Sequence, residues 1–249
     1  MFLAIDIGNS NIKTAIFNGN KIEHLFRFPT IKEAGVDYYF NILKDKLKEY
    51  PIDKCGIISV VENLDSVIKT AIDNIFNIES LMLTPYSCMS IKIESEKRKF
   101  VGMDRLANIY AACDYSLPAI VVDIGTAITF DIISKDKAFL GGAIMPGINM
   151  QLSALHTQTS KLPLIKAGKS EIAIGNTTES AILAGVIRGI AAAIDGLISQ
   201  SAAELGEEAV IIVTGGQYKI LTEYIKTRVD FYEPDLTLFG IKRIFDKQK

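Results

Sequence analysis

Residues 11–17 alternate with a period of two. Ile12, Thr14 and Ile16 fall on one face and Lys13, Ala15 and Phe17 on the other, which is the pattern of a strand. Met1–Ile7 before it is apolar enough for a buried strand. Asn18–Gly19 after it supplies a hairpin turn, because both residues accept positive φ, and KIEHLFRFP (21–29) makes a third strand. The pattern then changes period. VDYYFNILKDKLKEY (36–50) reads as an amphipathic helix, CGIISVV (55–61) as a buried strand, LDSVIKTAIDNIF (64–76) as a helix, SLMLT (80–84) as a strand and GMDRLANIYAACDY (102–115) as a helix.

The plan then starts again. AIVVDIG (119–125), AITFDII (127–133) and AFLGGAIM (138–145) predict three strands, and PGINMQLSALHTQ (146–158) predicts a helix with Pro146 near its first turn. A long helix is expected over 178–205, then a buried strand AVIIVTGG (209–216), a helix YKILTEYI (218–225), a strand VDFYEP (229–234) and a terminal helix LFGIKRIFDKQK (238–249). Two α/β domains follow from this repetition, 1–116 and 117–249, with the join near Ser116–Pro118.

Composition narrows the function classes. The chain of 249 residues carries 27 Lys and Arg against 29 Asp and Glu, a net charge of −2, so no basic field marks a nucleic-acid partner and a small-molecule role is expected. The three cysteines, Cys55, Cys88 and Cys113, are far apart and lack any CxxC spacing, which suits reduced thiols in a cytoplasmic protein. No basic leader is evident at the N-terminus, and no apolar run is expected to approach the roughly 20 residues of a membrane helix. His24 and His156 lack a second ligand at metal spacing and read as structural.

The repeat carries the candidate chemistry. DIGNSN at 6–11 and DIGTA at 123–127 each put an Asp at the end of a buried strand, then Gly, then a hydroxyl or amide side chain, then another strand. Gly lets backbone amides approach a ligand closely, and Asn9, Ser10, Asn11 and Thr126 add donors suited to phosphate oxygens. A single such turn is an ordinary polar hairpin; two at matching positions of similar halves are expected to face one interdomain cleft, where ligands commonly bind. A carboxylate beside a phosphate repels it unless a cation intervenes, so Asp6 and Asp123 imply metal ions, with Mg²⁺ on a nucleotide as the natural case.

The paired D-x-G-[NT] hairpins resemble those of the actin, sugar kinase and heat-shock ATPase superfamily, which binds ATP between two duplicated ribonuclease-H-like domains. More narrowly, DIGNSNIK, VGMDRLAN, VVDIGTAITFD, GGAIMPG, IGNTTESAILAG and VIIVTGG occur in the order found in type III pantothenate kinases, so the chain resembles that family from Met1 to about Gly240. The resemblance implies ATP-dependent phosphorylation of pantothenate to 4′-phosphopantothenate, the first step towards coenzyme A. It implies ATP contacts at Asp6, Ile7, Gly8, Asn9, Ser10, Asn11, Ile12, Lys13 and Thr126, a monovalent cation, potassium or ammonium, at Asp123, and a homodimer. It also implies pantothenate contacts at Gly102, Met103, Asp104, Arg105 and Thr177, with Asp104 as the catalytic base.

Adjacent helical residues point about 100° apart, so Asp104 and Arg105 can address the hydroxyl and the carboxylate of one substrate. Asn176 and Glu179 resemble a helix cap and its partner, which would leave Thr177 in the first turn. Thr214–Gly216 is open to two readings, an adenosine contact or a tight turn. One segment departs from the family: IESEKRKFVG stands where a Tyr and an Asn-Pro usually precede G-x-D-R, with Ser95 near the Tyr position and Met103 in place of a smaller residue. Ala181, Gly185, Gly189 and Ala193 form a stripe of small residues that permits close helix approach. A nucleotide-binding accessory protein without turnover, or another kinase or phosphatase of the superfamily, are the competing readings.

Overall fold

The alternating segments form a meander. In the structure, a computed structural model describing residues 1–93 and 95–248 without the side chains of Ser95 and Glu96, β1 (Phe2–Ile7) pairs antiparallel with β2 (Asn11–Asn18) and β2 with β3 (Lys21–Pro29). Helix α1 (Val36–Leu47) follows, then β4 (Lys54–Ser59), parallel to β1. Next come α2 (Asp65–Phe76), β5 (Leu81–Met82), α3 (Ser95–Arg98) and α4 (Met103–Ala112). The sheet order is β3-β2-β1-β4-β5. Leu3, Ile5 and Ile7 of β1, with Ile12 and Ile16 of β2, pack on Tyr39, Leu43 and Leu47 of α1 and on Ile68 and Ile72 of α2. Those are the faces that the periods of two and 3.6 select.

The second half repeats the order residue by residue. β6 (Ala119–Ile124), β7 (Ala127–Ile133) and β8 (Phe139–Pro146) form the antiparallel meander, and β9 (Val210–Thr214) and β10 (Phe231–Tyr232) extend it in parallel, in the order β10-β9-β6-β7-β8. Even the irregularity recurs: the pairing slips at Ile16/Phe17 in the first sheet and at Ile132/Ile133 in the second. These are duplicated α/β units of the ribonuclease-H-like kind. Between β8 and β9 lie α5 (Ile148–Thr157), α6 (Thr178–Leu183) and α7 (Gly189–Leu205), with α8 (Tyr218–Leu221) after β9.

Several expectations change here. The long helix is interrupted by a π-helical stretch, Ala184–Arg188, that joins α6 to α7. The predicted helix at 218–225 stops at Leu221 because the Asp195 carboxylate takes the amides of Lys226 and Thr227 at 2.8–3.1 Å, so the chain turns instead of coiling on. Burial would raise the Asp195 pKa, yet those amides outweigh it and hold the carboxyl below its ordinary value. The region 178–205, with mean hydropathy 1.9 in its most apolar stretch, is also long and apolar enough to cross a membrane, contrary to the expectation of no such run. Its Ile182, Val186, Ile187, Ile190, Ile194 and Ile198 instead fill the core of the second unit.

The chain divides into units of 1–114 with 236–249, and 115–235, rather than at 116/117. The terminal helix α9 (Leu236–Asp246), expected in the second domain, packs on α4, β1 and β4 of the first. Its apolar stripe decides this. Phe239 meets Phe17 at 5.6 Å and Phe245 meets Phe2 at 4.8 Å between ring centroids, and the Thr237 hydroxyl donates to the buried Asn108 side chain at 2.8 Å. Gly240 makes the approach possible, since a Cβ there would lie 2.0 Å from the Ala107 carbonyl oxygen. The substitution Gly240→Ala is expected to cost about 3 kcal/mol or more through overpacking, read as a lower urea midpoint. An unchanged midpoint would show that α9 docks more loosely than this contact requires.

Candidate functional site

In the first unit the site grows from the end of β1. Ile5 and Ile7 face the core, so Asp6 faces the other way, 7% exposed, in register with Lys13 on β2. The turn is closed by the Gly8 amide donating to the Asn11 carbonyl at 3.1 Å. Thr30, directly after β3, then takes up two more of the turn's carbonyls: its hydroxyl donates to Gly8 O at 2.7 Å and its amide to Ser10 O at 3.1 Å. Acceptors that would repel an anion are thereby turned away. Asn9 and Ser10 are left exposed, with Lys32 Nζ 3.3 Å from Asn9 Oδ1.

Thr30 and Lys32 were not among the sequence candidates. The signal was present, because pairing of Asn11 with Pro29 puts whatever follows Pro29 beside the first turn. Ile7 and Ile12, by contrast, are fully buried in the core and support the turn from beneath.

The G-M-D-R segment starts α4 in the same unit. Gly102 is its cap, Leu106 N donates to Gly102 O at 3.0 Å, and the buried Val101, Met103 and Leu106 anchor the first turn. Asp104 and Arg105 are half-buried, and Asp104 Oδ1 accepts from the Arg105 amide at 2.8 Å. A carboxylate at this position suits the positive end of the helix dipole. The side chain of Ser95 lies outside the described residues.

In the second unit Asp123 is the penultimate residue of β6, in register with Thr129 on β7 and Thr214 on β9. Gly125 N closes the turn on Ala127 O at 3.1 Å, and the exposed Thr126 gives its carbonyl to Gly147 N at 3.0 Å. Gln217 N donates to Ile124 O at 3.1 Å. Gly215, at φ +96°, lets the chain after β9 pass so close that a Cβ would sit 2.4 Å from Ile124 O and 2.6 Å from Asp123 Oδ1. The T-G-G segment is thus a tight turn locked against the Asp123 strand end. Thr129 Oγ1, on the residue opposite Asp123, and Gln217 Oε1 are both buried without hydrogen-bond partners.

Thr177 is the cap of α6, not a first-turn residue. Its Oγ1 accepts from Ser180 N at 3.1 Å while Ser180 Oγ accepts from Thr177 N at 3.0 Å, so the reciprocal pair is Thr177–Ser180 and not Asn176–Glu179. Beside it opens an apolar groove of about 840 Å³ lined by Leu155, Leu162, Thr178, Ala181, Ile182 and Val186, among others. Both histidines are structural in their contacts: His24 packs on Tyr50 at 4.5 Å and His156 Nδ1 lies 2.8 Å from Leu162 O. Cys55 and Cys88 are buried free thiols and Cys113 is half-buried.

The two units thus hold strand-turn-strand motifs with an aspartate near each turn, and the first also holds a G-x-D-R helix start. A family model described as type III pantothenate kinase matches residues 2–200. The chain belongs to the type III pantothenate kinase family. It is 37% identical over 255 residues to the type III pantothenate kinase of Dictyoglomus turgidum, covering 99% of each chain, and 32% identical to that of Syntrophus aciditrophicus at the same coverage.

Among solved structures, a Campylobacter jejuni protein described as a Baf family transcriptional activator aligns with TM-score 0.62 at 24% identity, over 99% of this chain and 98% of that one. A ROK family glucokinase from Streptomyces griseus aligns with TM-score 0.56 at 11% identity, over 96% and 97%. These two likenesses establish the fold. Family membership establishes the reaction: transfer of the γ-phosphoryl group of ATP to an alcohol of pantothenate, in coenzyme A biosynthesis.

Proposed function

We propose that Asp104 is the general base of this pantothenate kinase and that Arg105 holds the substrate carboxylate. The observation that carries the reading is the start of α4, where buried Val101 and Met103 fix two adjacent half-buried side chains of opposite charge. Pantothenate offers a primary hydroxyl at one end and a carboxylate at the other. The Asp104 carboxylate orients the hydroxyl and accepts its proton as the oxygen attacks the γ-phosphorus, and the Arg105 fork matches the carboxylate. Gly102 and Met103 line the same end. Thr177 is assigned to pantothenate as well: it caps α6 at an exposed position, where its Oγ1 accepts from the Ser180 amide and lies 2.9 Å from Ser180 Oγ.

The ATP phosphates are assigned to the turn from Asp6 to Lys13 and to Thr126. Support comes from the withdrawal of the Gly8 and Ser10 carbonyls by Thr30, and from Lys13 and Lys32 as nearby cations. Among the described residues no three His, Cys, Asp or Glu side chains come together. A divalent ion therefore fits as Mg²⁺ carried on the triphosphate with few protein ligands, Asp6 being the nearest carboxylate of this turn. Bound there, it neutralises charge on the phosphates.

A monovalent cation, potassium or ammonium, is assigned to Asp123. The donor set suits it, because Thr129, directly opposite Asp123, carries a buried oxygen without a partner, and Gln217, whose amide bonds the Ile124 carbonyl, carries a second. We assign the enzyme to the cytoplasm, where the buried thiols of Cys55 and Cys88 stay reduced, and to a homodimer. Exposed Ile144, Leu164 and Ile174 and the groove beside α6 give the second unit apolar surface to cover.

Three measurements check these assignments. The Asp104→Asn enzyme is expected to lose about 10²- to 10⁴-fold in kcat, with nucleotide affinity by calorimetry within about twofold of the parent. Parental turnover would remove Asp104 from the role of base, and loss of ATP binding would make it structural. Replacing potassium and ammonium by sodium is expected to suppress turnover in the parent, and Asp123→Ala to suppress it in any of these salts; equal rates in sodium alone would refute the cation. Sedimentation equilibrium should return about twice the 27.3 kDa chain mass, and a monomer mass would overturn the dimer.

A further inference from the structure

Among the described residues between β5 and α4 the helical structure is short: a 3₁₀ turn at Pro85–Cys88 and the single turn of α3. What gathers it is one guanidinium. Arg98 is 4% exposed, and its Nη2 donates to Ile91 O at 2.7 Å while Nη1 donates to Cys88 O at 2.9 Å and reaches Pro85 O at 3.5 Å. It makes no ion pair with a carboxylate among the described residues. Burying a cation is costly unless it is hydrogen-bonded, and here the acceptors are carbonyls at the first and last residues of the 3₁₀ turn and at Ile91 beyond it. The planar fork meets three of them at once, which a single ammonium point charge cannot do in the same geometry.

The fork also ties this segment to the acceptor end of the site. The 3₁₀ turn packs against α4 and α9, and Gln248 Nε2 donates to Ser87 O at 2.9 Å. On the other side, the Arg98 carbonyl accepts from Val101 N at 3.2 Å, Val101 and Met103 are buried on either side of Gly102, and Gly102 O accepts from Leu106 N at 3.0 Å. A continuous path of bonded and buried groups therefore runs from the guanidinium to the first turn of α4.

We propose that Arg98 is a positioning residue for pantothenate: it fixes the start of α4 so that Asp104 and Arg105 meet the substrate's hydroxyl and carboxylate together. The inference rests on the roles proposed above for that pair. Arg98 touches neither substrate, and the ATP turn at residues 8–10 is held by Thr30 independently of it.

The test uses the full chain with Arg98→Lys, Arg98→Met and Arg98→Ala, with Asp104→Asn run in parallel. In Arg98→Met the KM for pantothenate is expected to rise about tenfold or more, with the KM for ATP within about twofold. Arg98→Lys should fall between parent and Arg98→Met. Millimolar guanidinium added to Arg98→Ala should lower its pantothenate KM by refilling the vacated space, an effect that a general loss of stability would not give.

Cys88 supplies a second readout. Burial pushes its thiol up to about 12, against the opposing pull of the Arg98 charge, so it should resist alkylation in the parent and react when the segment opens. If Arg98→Ala or Arg98→Met fails to fold, Arg98→Lys alone decides by the same split between the two KM values. A parental pantothenate KM in any folded variant, or equal rises for ATP and pantothenate without guanidinium rescue, overturns the proposal. Should Asp104→Asn turn over like the parent, the role of Asp104 fails instead, and the pantothenate KM of the Arg98 variants still decides whether the helix start is being positioned.

Discussion

One backbone closure, made twice, sets what each half presents to a ligand: the amide of the first turn glycine donates back across the turn, Gly8 to Asn11 and Gly125 to Ala127, both at 3.1 Å. In both halves the strand before the closure ends on a fully buried isoleucine, Ile7 or Ile124, so the residue before it faces the other way, and in both halves that residue is an aspartate. The antiparallel register then selects its neighbour. In the first half the neighbour is Lys13, in the second Thr129, so an otherwise duplicated device carries a built-in cation in one copy and only an oxygen acceptor in the other. That single difference is the chemical reason for assigning the added monovalent ion to the second half.

The two closures are braced differently. Thr30 does it in the first unit with a hydroxyl and an amide, a polar clamp worth on the order of 1 kcal/mol per bond. The second unit relies on close backbone passage at Gly147 and Gly215, where no side chain fits. A polar clamp tolerates small movements of the turn, whereas contact between main chains does not. The Thr126 turn is accordingly the more rigid of the two by construction, and the Asn9–Ser10 turn the more adaptable.

The parts legible in the sequence are those where one local rule decides. Alternation over 11–17 and the Asn-Gly turn gave β2 and β3, and the paired D-x-G hairpins located both turns before any coordinates. The misses each involve a partner distant in sequence. A period of 3.6 cannot reveal the extra residue of the π stretch at Ala184–Arg188, and Asp195 diverts amides some thirty positions later. Gly175 packs so closely on Ala181 that the cap falls one residue beyond Asn176. Nothing local to α9 names the sheet it will cover; Gly240 acquires meaning only once Ala107 is known to lie opposite. Arg98 reads as one more charge in a basic run, and its burial depends on three carbonyls brought round by tertiary structure.

The return of α9 has a consequence for how the molecule is made. Residues 115–235 are contiguous, so the second unit has its whole core available as soon as that stretch has emerged from the ribosome. The first unit, although translated earlier, lacks the helix that covers Phe2 and Phe17 until residues 236–246 are synthesised. Vectorial emergence therefore leaves the apolar underside of β1 and α4 uncovered until α9 arrives, open to chaperones through most of elongation.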